Sequence, residues 1–194
     1  MIVHTVRAFQ ECDAISEIVI VTREDLIIPI ANLTHEMGKV KAVIVGGKSR
    51  QESVNLGLNA LSDKVELAAI QDGARPLVTW QLIDRVVRAA HSFGAAAPAI
   101  PVKDTIKEAA GGVGKKTPDR ATLFAVQTPQ VFDFDLLRAA MKKVEQDGVQ
   151  VTDDCSAVEY LGMTVKLVEG DERNLKVTTP LDLKIAEMLL EEEK

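Results

Sequence analysis

Short apolar runs alternate with helical spacing along most of this chain, and that alternation limits the folds open to it. EIVIV at 17–21, KAVIV at 41–45, ELAAI at 66–70, AAAPAIPV at 95–102 and TVKLVEG at 164–170 are runs of buried-strand length. LFAVQTPQVF at 123–132 reads as one further strand. Between the runs, helices are predicted over 25–37, from 49 towards 60, and over 79–92, 135–146 and 153–161. Met1–Cys12 opens the chain as another, with Ile2, Val6 and Phe9 at helical spacing. Apolar strands separated by helices bury both sheet faces, so βαβ units and a doubly wound, mainly parallel α/β sheet are expected. Local signals agree. Ser49 with Glu52 forms a capping box, Gly162 follows a helix as a C′ residue, and Thr179-Pro180 with Asp182 starts the last helix.

A chain of 194 residues suits a single α/β domain over 1–194. None of its apolar runs approaches the roughly 20 residues of a membrane span. A net charge of −6 argues against a nucleic-acid-coating surface, which is normally basic. Any anion site must therefore gather a few Arg and Lys residues in one cleft. Cys12 and Cys155 fall outside any CxxC pattern, as expected of a reduced, cytoplasmic chain.

Ligands of such sheets sit beyond the carboxyl ends of the strands, and four of those ends carry unusual residues. Gly46-Gly47-Lys48-Ser49-Arg50-Gln51-Glu52-Ser53 offers close backbone approach and free N–H groups at a helix start. A structural turn before a capped helix would look the same. Gln71-Asp72-Gly73-Ala74-Arg75-Pro76 places an acid and an arginine where a ribose hydroxyl, a magnesium ion or an anion could bind. The plainer reading is a turn in which Asp72 and Arg75 pair. Lys103–Lys107 alternates polar and apolar residues, and the polar stretch at 109–119 then suggests a projecting ribbon. Lys176, at a strand end before a capped helix, could face a phosphate. The histidines, Cys155 and the terminal Glu-Glu-Glu-Lys read as packing or solvated groups, and Asp153, Asp154 and Glu159 as helix-start carboxylates rather than a metal cluster. No G-x-G-x-x-G follows a strand, which disfavours a dinucleotide oxidoreductase.

Taken in order, GGKSRQESVNLGL, QDGARPLV, PVKDTIKEA, DRATLFAVQTPQVF, VTDDCSAVEYLG and VEGDERNLKVTTPLDL resemble the 2-C-methyl-D-erythritol 4-phosphate cytidylyltransferases. The resemblance implies a Rossmann-like nucleotidyltransferase with a β-ribbon arm, joining CTP and a polyol phosphate to give a CDP-alcohol and pyrophosphate with Mg²⁺. By the same resemblance, Gly46, Gly47 and Ser53 meet the cytosine, and Asp72 with Gly73 meets the ribose and the metal. Arg75 and Thr128 line the polyol pocket, Thr152 and Arg120 hold the substrate phosphate, and Lys176 stands near the reacting phosphates. The arm at 103–122, with Arg120, would reach across a homodimer interface. Ribitol 5-phosphate is the alternative substrate, and a non-catalytic polyol-phosphate-binding dimer the alternative role. Family members begin with a strand and a glycine-rich loop holding an arginine and a Pro-Lys pair, whereas MIVHTVRAF resembles the helix after that loop. Residues 1–194 alone are therefore expected to lack a central strand and the triphosphate loop, and to be inactive by themselves.

Overall fold

The computed structural model describes residues 1–191. Helix α1 (Ile2–Glu11) leads to β1 (Ile18–Thr22), α2 (Ile27–Thr34), β2 (Val40–Val45), α3 (Arg50–Asn59) and β3 (Leu67–Ile70). There follow α4 (Trp80–Phe93), β4 (Ala95–Pro101), the short strands β5 (Glu108–Ala110) and β6 (Val113–Lys116), β7 (Phe124–Val126) and β8 (Gln130–Asp133). The chain closes with α5 (Phe134–Gln146), α6 (Asp154–Tyr160), β9 (Lys166–Glu169) and α7 (Pro180–Glu191). Of the terminal acidic tail, residues 192–194 lie outside the described residues.

β1 and β2 pair in parallel. A second sheet runs β3-β8-β4-β7, with β9 also on β4. β3 and β4 both lie antiparallel to β8, so they share a direction, and β9 is parallel to β4. β3 and β4, linked through α4, are thus co-directional with β9, and the antiparallel pieces β7 and β8 come from one segment. That segment, read from sequence as one strand, is two. A cis Thr128-Pro129 bond separates β7 from β8, which pair with opposite ends of β4. Proline has no N–H to give a ladder, which explains a break at this point. The helix expected over 25–37 is also shorter, a 3-10 turn at Glu24–Leu26 followed by α2.

Both sheet faces are covered. Phe132, Leu137, Met141, Val144 and Val158 pack the α5–α6 side, while Phe9, Leu82, Ile83, Val86 and Val131 pack the α1–α4 side. Full burial of each such side chain contributes about 1.5–3 kcal/mol. The amphipathic α4 is bounded by Thr79, which accepts from Leu82 N, and by Gly94, whose φ of 81° needs a glycine. The predicted caps form at Ser49, which accepts from Glu52 N, and at Thr179, which accepts from Asp182 N. The Glu52 carboxylate goes one residue further than a capping box requires, accepting from Lys48 N.

Among the described residues, β1 and β3 do not pair. Their free edges face a cleft of about 670 Å³, lined by Ile20 of β1, Ala69 of β3, Phe9 of α1 and Leu58 of α3. Arg50, Ser53, Asp72 and Gly73 also line it. The β5–β6 hairpin is the projecting ribbon expected from sequence, exposed throughout and turned by Gly111 and Gly112 at φ of 59° and 77°.

Candidate functional site

Behind β2 the backbone folds back on α3. Gly46 N donates to Thr22 O at 2.7 Å, and Gly47 N to Ser53 Oγ at 3.1 Å. Ser53 Oγ donates in turn to Ser49 O at 2.8 Å. A Cβ on Gly46 would lie 2.8 Å from Ser53 Oγ, and one on Gly47 would run into Glu52. Both glycines are thus required by close approach, and the Ser53 hydroxyl already carries the turn.

Past β3, Asp72 sits in a tight electrostatic setting. Its carboxylate, 18% exposed, lies 3.1 Å from Lys176 Nζ, with Arg75 Nε 3.5 Å from the same oxygen. The Asp72–Arg75 pairing of the plainer sequence reading therefore exists, and Lys176 joins it from 104 residues away. Asp72 N donates to Thr128 Oγ1 at 3.1 Å. Arg75 is buried, and its Nη1 donates to Asn174 O at 2.6 Å. Burial lowers the Arg75 guanidinium from its ordinary value, opposed by the charge of Asp72.

Asp72, Gly73, Arg75, Thr128 and Lys176 are thus brought together, and Ser53, bonded to Gly47, lines the same cleft as Asp72 and Gly73. Thr128 is buried with its hydroxyl spent on Asp72 N. Thr152 is exposed just before α6, with Oγ1 3.4 Å from Ser156 Oγ. Arg120 stands apart at the base of the arm, where Nη1 donates to Lys103 O at 2.7 Å. Lys103 Nζ in turn meets Glu172 at 2.6 Å, so the arm base touches the segment that leads to Lys176.

Sequence reasoning missed Arg50. Its guanidinium makes a two-pronged pair with the fully buried Asp154 carboxylate, at 3.1 and 2.5 Å, joining the Gly46–Ser53 turn to α6. Burial works against the Arg50 charge, but the bonds to Asp154 outweigh it and raise its pKa. For Asp154, burial dominates and pushes the carboxyl up. The Asp154 carboxylate therefore has a partner to satisfy and is more than a helix-start acid. Asp153 keeps the capping role, accepting from Ser156 N at 2.9 Å. Gln130, also missed, donates to Asp153 Oδ2 and accepts from Asp154 N and Cys155 N. The Cys155 thiol is buried and its pKa pushed up by that burial, which disables it as a nucleophile.

A divalent ion would find one carboxylate here, Asp72. Among the described residues, no group of three or more His, Cys, Asp or Glu side chains could hold a metal by itself. One carboxylate suits Mg²⁺, which keeps waters and takes most of its remaining ligands from phosphates.

Comparison with known proteins places this geometry. The family model for IspD, 2-C-methyl-D-erythritol 4-phosphate cytidylyltransferase, matches residues 1–192. The protein of that name from Symbiobacterium thermophilum is 43% identical over 194 residues, covering 100% of this chain and 81% of its relative. The one from Halalkalibacterium halodurans is 42% identical over 196 residues, covering 100% and 86%. The crystal structure of 4-diphosphocytidyl-2C-methyl-D-erythritol synthase from Anaerococcus prevotii superposes with a TM-score of 0.91 at 30% identity, covering 98% of this chain and 85% of that one. The Thermus thermophilus 2-C-methyl-D-erythritol 4-phosphate cytidylyltransferase gives 0.83 at 35% identity, covering 97% and 87%. These matches favour methylerythritol phosphate over ribitol phosphate, and the chain belongs to the 2-C-methyl-D-erythritol 4-phosphate cytidylyltransferase family.

Proposed function

We propose that this chain carries cytidylyl transfer from CTP to 2-C-methyl-D-erythritol 4-phosphate. The observation that supports this most is the meeting of Lys176 with Asp72 at 3.1 Å, Asp72 lining the same cleft as Ser53. A substrate phosphate oxygen attacks the α-phosphorus of CTP in line. One P–O bond forms, the bond to the β-phosphate breaks, and pyrophosphate leaves. The protein's part is to hold the two anions in line and to neutralise spreading charge.

Gly46 and Gly47 let the cytosine approach the backbone, beside Ser53. Asp72 and Gly73 face the ribose, Arg75 and Thr128 border the polyol site, and Lys176 faces the reacting phosphates. Thr152 and Arg120 hold the substrate phosphate. Because Arg120 sits at the arm base, its reach to a phosphate fits a homodimer in which the arm at 103–122 lies against a second copy. Mg²⁺, when bound at Asp72, would neutralise triphosphate charge. Both cysteines are free, in keeping with a reduced, cytoplasmic setting. Among the described residues, no helix is long and apolar enough to cross a membrane.

The test is product formation by purified chain with CTP, Mg²⁺ and either polyol phosphate, read by mass spectrometry. CDP-methylerythritol, with at least 100-fold less CDP-ribitol, would support this reading and overturn the expectation from sequence that residues 1–194 are inactive by themselves. CTP binding and product both absent would favour a non-catalytic polyol-phosphate binder.

A further inference from the structure

Lys176 lies outside any helix or strand, on the irregular stretch between β9 and α7, yet it meets Asp72. Two buried amides hold that stretch. Asn174 is fully buried, and its Nδ2 donates to Thr128 O at 2.9 Å and to Gln127 Oε1 at 3.4 Å. Gln127 Nε2 donates to Asp171 O at 2.7 Å, and Gln127 Oε1 accepts from Asp171 N at 3.2 Å. A carboxamide can donate through its nitrogen and accept on its oxygen at once in this way. Gly170 lets the backbone pass, since a Cβ there would lie 2.7 Å from Gln127 Oε1. Beyond Lys176, Val177 N donates to Ala74 O at 2.8 Å.

Both members of the ion pair hang from the same residue. Thr128 receives Asp72 N on its hydroxyl and Asn174 Nδ2 on its carbonyl. Arg75 links them a second time, with Nη1 on Asn174 O and Nε facing Asp72. Leu175 alone separates Asn174 from Lys176.

We propose that Asn174, clamped by Gln127, is the positioning residue that sets the Lys176 ammonium against Asp72. The proposal rests on Asp72 and Lys176 being the reacting centre, but its test does not use turnover. Lysines of the intact chain are acetylated competitively with acetic anhydride and their rates read by mass spectrometry. Asp72→Asn should raise the Lys176 rate about threefold, the size a partly exposed ion pair supports. Asn174→Ala should raise it equally, leaving Lys41 and Lys184 unchanged, and Asp72→Asn should then add nothing in the double variant. A folded Asn174→Ala chain with the wild-type Lys176 rate, or a full further threefold in the double variant, would overturn the clamp and leave Asn174 a packing residue. Should Asn174→Ala not fold, Asn174→Ser is read by the same two criteria. A wild-type chain that makes no CDP-methylerythritol counts against turnover by residues 1–194, as their sequence leads one to expect, while the acetylation rates still decide the clamp.

Discussion

The two sides of the site are held in different ways. On the Asp72 side, Thr128, Gln127, Asn174 and Arg75 knit three separate segments together through buried hydrogen bonds, against a five-stranded sheet. On the glycine side, the Gly46–Ser53 turn bonds mostly to itself and rests on the two-stranded β1–β2 sheet. Its longest reach is the Arg50–Asp154 pair. Rigidity is therefore concentrated on the side where the proposed reaction develops charge on phosphorus, and the proposed nucleotide-base side depends on one long-range ion pair. Fixed groups at the centre of charge development give the largest catalytic effect, because nothing need reorganise as the reaction proceeds.

The largest expected effect comes from the rigid side. Lys176→Ala should lower the rate of pyrophosphate release about 100- to 1,000-fold, as loss of one fixed charge-stabilising group does. Next comes the single tie of the other side. Arg50→Met should destabilise the fold by about 3 kcal/mol in urea unfolding, because it strands the buried Asp154 charge; half-exposure of Arg50 keeps this at the low end for broken buried pairs. An unchanged midpoint would mean that Asp154 is protonated or re-solvated without its partner, and the contrast between the two sides would weaken.

Amide exchange offers a gentler contrast. Protection in β1 and β2 should be at least about tenfold lower than in β3, β4 and β8, since fewer neighbours hold a two-stranded sheet with an open edge. Equal protection would break the comparison. The smallest effect is in acid. Burial works against the Asp153 charge, but bonds from Ser156 and Gln130 prevail and lower its pKa. Its contribution is therefore present above the ordinary aspartate value of about 3.9 and is lost as pH falls through the lowered folded value. Asp153→Asn should flatten the loss of stability below about pH 4 relative to wild type, as followed by thermal unfolding.

Much of this was legible in the sequence. Strand and helix alternation, the caps at Ser49 and Thr179, and the ribbon at 103–122 rest on local patterns, and the segments around Gly46 and Asp72 fell at strand ends as expected, whereas Lys176, expected at a strand end, lies on the irregular stretch between β9 and α7. What escaped were pairings across long separations. Arg50 and Asp154 are 104 residues apart, and Gln127 and Asn174 are 47 apart. Nothing in a lone Gln or Asn announces burial. The only hints were their places beside Thr128 and Lys176. The division of 123–132 into two strands could have been suspected from Pro129 in its middle, since proline is unwelcome inside a paired strand.

Asp72 and Lys176 are proposed to form a cytidylyl-transfer centre for methylerythritol phosphate. The most direct test of that role is to mix wild type and Lys176→Ala with CTP, Mg²⁺ and 2-C-methyl-D-erythritol 4-phosphate and follow CDP-methylerythritol by mass spectrometry. Whatever product wild type forms, Lys176→Ala should form at least about 100-fold less. Product formed equally by both proteins would contradict that role.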